Sequence, residues 1–177
     1  EVISKAEMIQ KIKAAVDART DPDFVIIARS DADEISIEEL IERCALYLEA
    51  GADLAMPIVA KIDGQARANV PNEKIVETHR RIIRAVKGPL LGLSLPEELT
   101  LKEIERLGYK VYIYPTHSHM AAVAAMFEVM SELKRTGTTK GYFDRHPRLD
   151  PAIYRQLVRT DEWLALEKKY SELKARK

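Results

Sequence analysis

Phe24-Val-Ile-Ile-Ala-Arg-Ser-Asp-Ala32 decides how the rest of the chain is read. Four apolar residues of high strand propensity run without a polar break, and Arg29 and Asp31 appear where the run stops. Such a run is expected to be a strand buried on both faces whose C-terminal end opens onto a site. An arginine beside a hydrophobic core is costly unless it meets an anion. Arg29 therefore calls for a partner, either a neighbouring carboxylate such as Asp31 or a bound ligand.

On the N-terminal side of this strand, Lys5 to Arg19 sets Met8, Ile9, Ile12, Ala15 and Val16 on one helical face. Ser4 is placed to cap that helix, with Glu7 three residues on to complete a capping box. On the C-terminal side, Ser36 and Glu39 repeat the device ahead of Ile37, Leu40, Ile41, Cys44 and Leu48, and Gly51 stops the helix. Ala52–Pro57 is a second short apolar run between punctuating residues. Lys61–Pro71 has no period and reads as a loop. Asn72–Val86 is helical, with His79 on or beside its apolar stripe, where a packed or capping histidine is expected. Pro89–Leu93 and Lys110–Tyr114 read as third and fourth strands. Thr100–Leu107 and Ser118–Arg135 read as helices, the latter with Ala121, Ala122, Ala125, Val129 and Leu133 near its buried side.

Strand and helix alternate four times, with crossovers long enough to hold a helix, and only a parallel sheet covered by helices satisfies that order. The fold class is α/β, a (βα)4 unit that is either an open sheet or half of an eight-stranded barrel. Residues 1–136 are expected to form this unit with its leading helix. Residues 137–177 are expected to form a helical tail that lies on the barrel or on a neighbouring subunit, because Tyr154, Leu157, Trp163, Leu166, Tyr170 and Leu173 cannot be buried within it alone.

Composition excludes several partners. The 177 residues carry 28 Lys plus Arg and 28 Asp plus Glu, leaving no net charge to attract nucleic acid or an anionic membrane. No apolar run approaches the roughly 20 residues needed to span a bilayer. No signal-peptide form is seen at the N-terminus, so a cytoplasmic location is expected. Cys44 is the single cysteine and sits in a helical pattern, which suits a buried inert thiol. His117 and His119 lie just past the fourth strand, but in a segment turning into a helix their rings would diverge, and zinc would need a further ligand. Thr116 and His117 are better placed to reach a substrate. No role is expected of His146.

Ala28-Arg-Ser-Asp-Ala32, followed by Arg43, Tyr47 and Glu49-Ala-Gly-Ala-Asp53, resembles the isocitrate lyase / phosphoenolpyruvate mutase superfamily. Leu107-Gly-Tyr-Lys-Val-Tyr-Ile-Tyr-Pro115, Leu133-Lys-Arg-Thr-Gly-Thr138 and the tail from Asp161 to Leu173 extend the resemblance in the same order over nearly the whole chain. The branch it is most similar to contains methylisocitrate lyase, dimethylmalate lyase and oxaloacetate hydrolase. The resemblance implies the C-terminal half of a TIM-type (β/α)8 barrel that binds Mg²⁺ and a small 2-oxo or 2-hydroxy carboxylate at its strand ends. It implies retro-aldol cleavage through an enolate, and a homodimer or tetramer. Arg29 would clamp a substrate carboxylate, with Ser30 and Asp31 supporting it.

Two departures shape the expectation. The family's first four strands, which carry the acidic Mg²⁺ ligands and the loop with the catalytic cysteine, have no counterpart here. No catalytic residue and no metal ligand is thus expected in this chain, and its completion falls to an N-terminal half-barrel or to other copies of itself. Pro57 is followed by Ile58 where the lyases have Glu, and Leu93 stands where they usually deliver Asn. Each charge-assisted hydrogen bond lost this way is worth roughly 1.5 to 3 kcal/mol. The substrate is then smaller and less polar than a tricarboxylate, or the chain is a non-catalytic scaffold. A phosphate-binding flavodoxin-like module is disfavoured, since no Gly-rich loop follows any strand.

Overall fold

The first two helices each begin at a serine that satisfies a free amide. In the computed structural model, which describes residues 2–174 and side chains through residue 171, Ser4 Oγ accepts the Glu7 N–H at the start of α1 (Lys5–Ala18). Ser36 Oγ accepts the Glu39 N–H at the start of α2 (Ile37–Glu49). Between them runs β1 (Ile27–Ser30), and after α2 comes β2 (Leu54–Pro57). A two-stranded antiparallel ribbon, β3 (Lys61–Ile62) with β4 (Gln65–Ala66), leads into α3 (Asn72–Val86). Then follow β5 (Leu91–Gly92), α4 (Leu101–Leu107) and β6 (Val111–Tyr112).

β1 pairs with β2 in parallel, Ile27 opposite Leu54 and Ser30 opposite Pro57. β5 pairs with β6 in parallel, and a parallel bridge between Ala55 and Leu90 joins the two pairs. The order is thus β1-β2-β5-β6, each strand beside its successor through a helical crossover. The helices cover one face. Ala28, Ala55 and Leu90 on that face sit under Leu40, Cys44, Tyr47, Ile75 and Ile82 of the helices, all buried. Complete burial of a Leu or Ile of this kind stabilises by about 1.5–3 kcal/mol.

The molecule has two compact units, one ending at Pro115 and another beginning at Thr116. The second contains α5 (His117–Thr136), α6 (Lys140–Arg145), α7 (Pro151–Leu157) and α8 (Thr160–Lys174). Within it, Glu132 on α5 accepts the Tyr142 N–H and pairs with Arg145, which fixes α6 against α5.

Several expectations need correction. The opening strand is not buried on both faces: only Ala28 and Ser30 are covered, while Phe24 is 66% exposed and Ile27 is exposed too. Within the first unit the helices pack on one side of the arc, and on the other side Arg29 and Ile27 are exposed while Leu91 is buried. Lys61–Pro71 is not a featureless loop, because Asp63 and Gly64 both adopt positive φ (50° and 77°) and turn a hairpin. Ala121, Ala122, Ala125 and Leu133 are exposed on α5, and Glu132 is its buried side chain, because α6 packs on that face. His146 is engaged: it stacks on Tyr142 with ring centroids 4.6 Å apart and lies 3.2 Å from Glu128. The boxes at Ser4 and Ser36 are half-boxes, since the Glu7 and Glu39 carboxylates turn to Lys11 and to Lys5 and Arg43. The reciprocal box is at Thr100 and Glu103. In the tail, Trp163 and Tyr170 are exposed, and the Leu173 side chain lies outside the described residues.

Candidate functional site

Arg29 stands on the uncovered face at the end of β1, with its side chain 58% exposed. Its Nε and Nη2 donate to the two carboxylate oxygens of Asp31 at 2.8 and 2.6 Å. That fork holds the Asp31 carboxyl below the usual carboxylate range and keeps the guanidinium charged. A guanidinium carries five N–H donors, so three remain for a further anion. A cleft of about 410 Å³ opens beside it, lined by Val2, Ile3, Met8, Ser30, Glu34 and Tyr47 as well as the ion pair.

The walls of that cleft are held from below. Arg43, buried on α2, donates to the Ile3 carbonyl at 2.7 Å and to Glu39 at 2.9 Å, and it lies 3.4 Å from the Tyr47 hydroxyl. Lys5 joins the same Glu39 at 2.9 Å. This pins the segment before α1 against Tyr47 and next to Arg29. At the other end of β1, Asp53 Oδ2 accepts from the Ile26 amide and from Arg19, both at 2.8 Å, fixing how the chain enters the strand. Both hydrogen bonds, the Ile26 amide foremost, depress the Asp53 pKa.

Ser30 points to the helix side, its hydroxyl buried and without a hydrogen-bond partner among the described residues. Thr116 is the residue before α5 and His117 opens that helix, both exposed and both in the second unit. Cys44 is fully buried, and its burial pushes the thiol up to about 12, which removes it as a nucleophile. His79 is completely buried, with Nδ1 2.6 Å from the Tyr109 hydroxyl. Burial lowers its pKa to about 4, and the charge of Arg67 adds to the effect.

Two residues escaped the sequence reading. Asp33, buried just past β1, accepts the Ala60 and Lys61 amides at 2.7 and 2.8 Å and so ties the β3–β4 ribbon to the strand end that carries Arg29. A lone Asp beside an Asp-Ala pair gives no sequence signal of that bond. Arg67 follows the ribbon, half-buried, and its guanidinium is without an ion-pair partner among the described residues.

Among the described residues no group of three or more His, Cys, Asp or Glu is placed to hold a metal ion. The described residues do not by themselves make a Mg²⁺ site.

A sequence profile for phosphoenolpyruvate phosphomutase matches residues 1–134. The chain belongs to that family. It is 40% identical over 146 residues to the 2,3-dimethylmalate lyase of Eubacterium barkeri, a match spanning 81% of this chain and 47% of that protein. It is 33% identical over 150 residues to the 2-methylisocitrate lyase of Escherichia coli K12, spanning 81% and 46%. Among solved structures, phosphonopyruvate hydrolase with oxalate and Mg²⁺ superposes with a TM-score of 0.73 at 29% identity, covering 95% of this chain and 56% of that one. The chain spans about half the length of the curated relatives it matches. Within this phosphomutase family the parallel arc is the C-terminal part of a TIM-type barrel, and its uncovered face is the barrel's inside. No helix among the described residues is long and apolar enough to cross a membrane.

Proposed function

We propose that this chain is the C-terminal portion of a carbon–carbon lyase acting on a small 2-hydroxy or 2-oxo carboxylic acid. The observation that carries this reading is Arg29, held by Asp31 on the inner face at a strand end and bordering an open cleft, in a chain 40% identical to a lyase of such an acid. Sites in TIM-type barrels form at that end of the strands.

In retro-aldol cleavage the bond between the hydroxyl-bearing carbon and its neighbour breaks, and the electron pair moves onto the neighbour to give an enolate. Arg29 fits the task of gripping the acid group and countering this charge, since its position is fixed before reaction. Asp31 keeps the guanidinium oriented. A lysine at 29 would place a point charge without the fork and would grip less well. The proton acceptor and the ligands of the Mg²⁺ belong to the complementary N-terminal half, and the tail and barrel edges suit a homodimer or tetramer.

Co-expression with the matching N-terminal half-barrel, followed by assay for release of pyruvate, oxaloacetate or glyoxylate from a panel of malates and citrates, tests the reading. Turnover of at least one acid is expected. A folded complex that turns over none would leave the second reading, a scaffold that has lost activity. Ile58 and Leu93, aliphatic at positions where the resemblance implies polar side chains, favour that alternative.

A further inference from the structure

The register of the strands separates their two faces. Ala28, Ser30, Ala55, Pro57, Leu90 and Gly92 alternate toward the helices, which leaves Ile27, Arg29, Leu54, Met56, Leu91 and Val111 on the inner face. One residue beyond the paired segments, Ile58 donates its N–H to the Ser30 carbonyl at 2.9 Å and Ile113 donates to the Gly92 carbonyl at 3.1 Å. The alternation therefore continues and places Asp31, Ile58, Leu93 and Ile113 in a row across the mouth of the arc. Ile58 is only 8% exposed, yet neither it nor Leu93 nor Ile113 belongs to the core beneath the helices. They form a separate apolar wall on the inner side. Below it run Met56, Leu91 and Val111 beside Arg29, so the pair Arg29 and Asp31 supplies the only charged side chains on these two rows.

We propose that Ile58, Leu93 and Ile113 form an aliphatic wall beside Arg29 that selects an acid whose reacting carbons bear alkyl groups over one with a further carboxylate there. This rests on the reading of the site as a carboxylate-binding lyase site, and it goes on to name the substrate class. An anion held by Arg29 places its remaining substituents along the sheet, against these side chains. An alkyl group gains by leaving water there. A carboxylate would be stripped of water with no donor in the row to replace it.

The chain completed by its N-terminal half is assayed with malate, 2,3-dimethylmalate and a tricarboxylate, and calorimetry measures binding of the same three acids. Two methyl groups in an apolar pocket are expected to raise kcat/KM by about ten-fold or more over malate, with the tricarboxylate poorest. Leu93→Asn is expected to remove most of that preference, and Ile58→Gln provides a second variant should Leu93→Asn misfold. Turnover with equal or reversed preference overturns the wall and spares the lyase reading. Absent turnover with alkyl-selective binding overturns the lyase reading and spares the wall. Binding that ignores the methyl groups, or no binding at all, overturns the wall.

Discussion

Titration of His79 should make the first unit acid-sensitive over a defined window. The ring is fully buried against Tyr109, and its pKa falls from 6.5 to about 4 in the folded chain. The folded-state value is depressed, so the unfolded chain binds the extra proton first. Stability is complete above the unfolded value near pH 6.5 and declines as pH falls toward about 4. Within the window the unfolded state holds about one proton more, which costs about 1.4 kcal/mol per pH unit and about 2.5 kcal/mol by roughly pH 4.5. Urea unfolding followed by far-UV circular dichroism across this range measures it. The chain's one tryptophan, Trp163, is exposed on α8 and would report on the other unit. His79→Gln keeps a group for the Tyr109 hydroxyl to bond and removes this titration, so between about pH 6.5 and 5, above the range where the depressed carboxylates contribute, its stability should be nearly flat. A parent curve without slope between about pH 6.5 and 4.5, or an equal slope in the variant, would refute the argument.

Other substitutions test how the cleft is built. Arg43→Ala frees the Ile3 carbonyl and one side of Glu39, and should cost about 3 kcal/mol in urea unfolding, as expected when one partner of a buried ion pair is removed. Asp33→Ala leaves the Ala60 and Lys61 amides without their acceptor. A loss of about 2 kcal/mol is expected, with faster hydrogen exchange at those two amides before the rest of the sheet is affected. Gly92→Ala would place a methyl 2.6 Å from the Tyr109 ring, so destabilisation of about 1–3 kcal/mol is expected, relieved in part by Tyr109→Leu.

The order of strands and helices was legible because the strands are short apolar runs and three of the helices carry side-chain caps, at Ser4, Ser36 and Thr100. Which face of β1 is covered was not. An apolar run such as Phe24–Ile27 shows that apolar surroundings are needed, not whether this chain provides them. The β3–β4 turn is carried by Asp63-Gly64, a dipeptide suited to two successive positive φ angles, but the residues around it show no alternation that would mark strands on either side. Arg29 and Asp31 could be found because charge at the end of an apolar strand is conspicuous. Asp33 could not, since its role depends on two backbone amides 27 and 28 residues away. Glu132 was hidden for a like reason: a charged residue on a helix reads as solvated until α6 folds over it.

Whether Arg29 receives an acid group is tested most directly by the affinity of the completed protein for oxalate, measured by calorimetry with Arg29 intact and with Arg29→Lys. Loss of the guanidinium fork should weaken binding about ten-fold or more, the equivalent of at least about 1.4 kcal/mol, with the thermal unfolding of the complex unchanged. Equal affinity in the two proteins would contradict the account, leaving Arg29 as nothing more than the partner of Asp31.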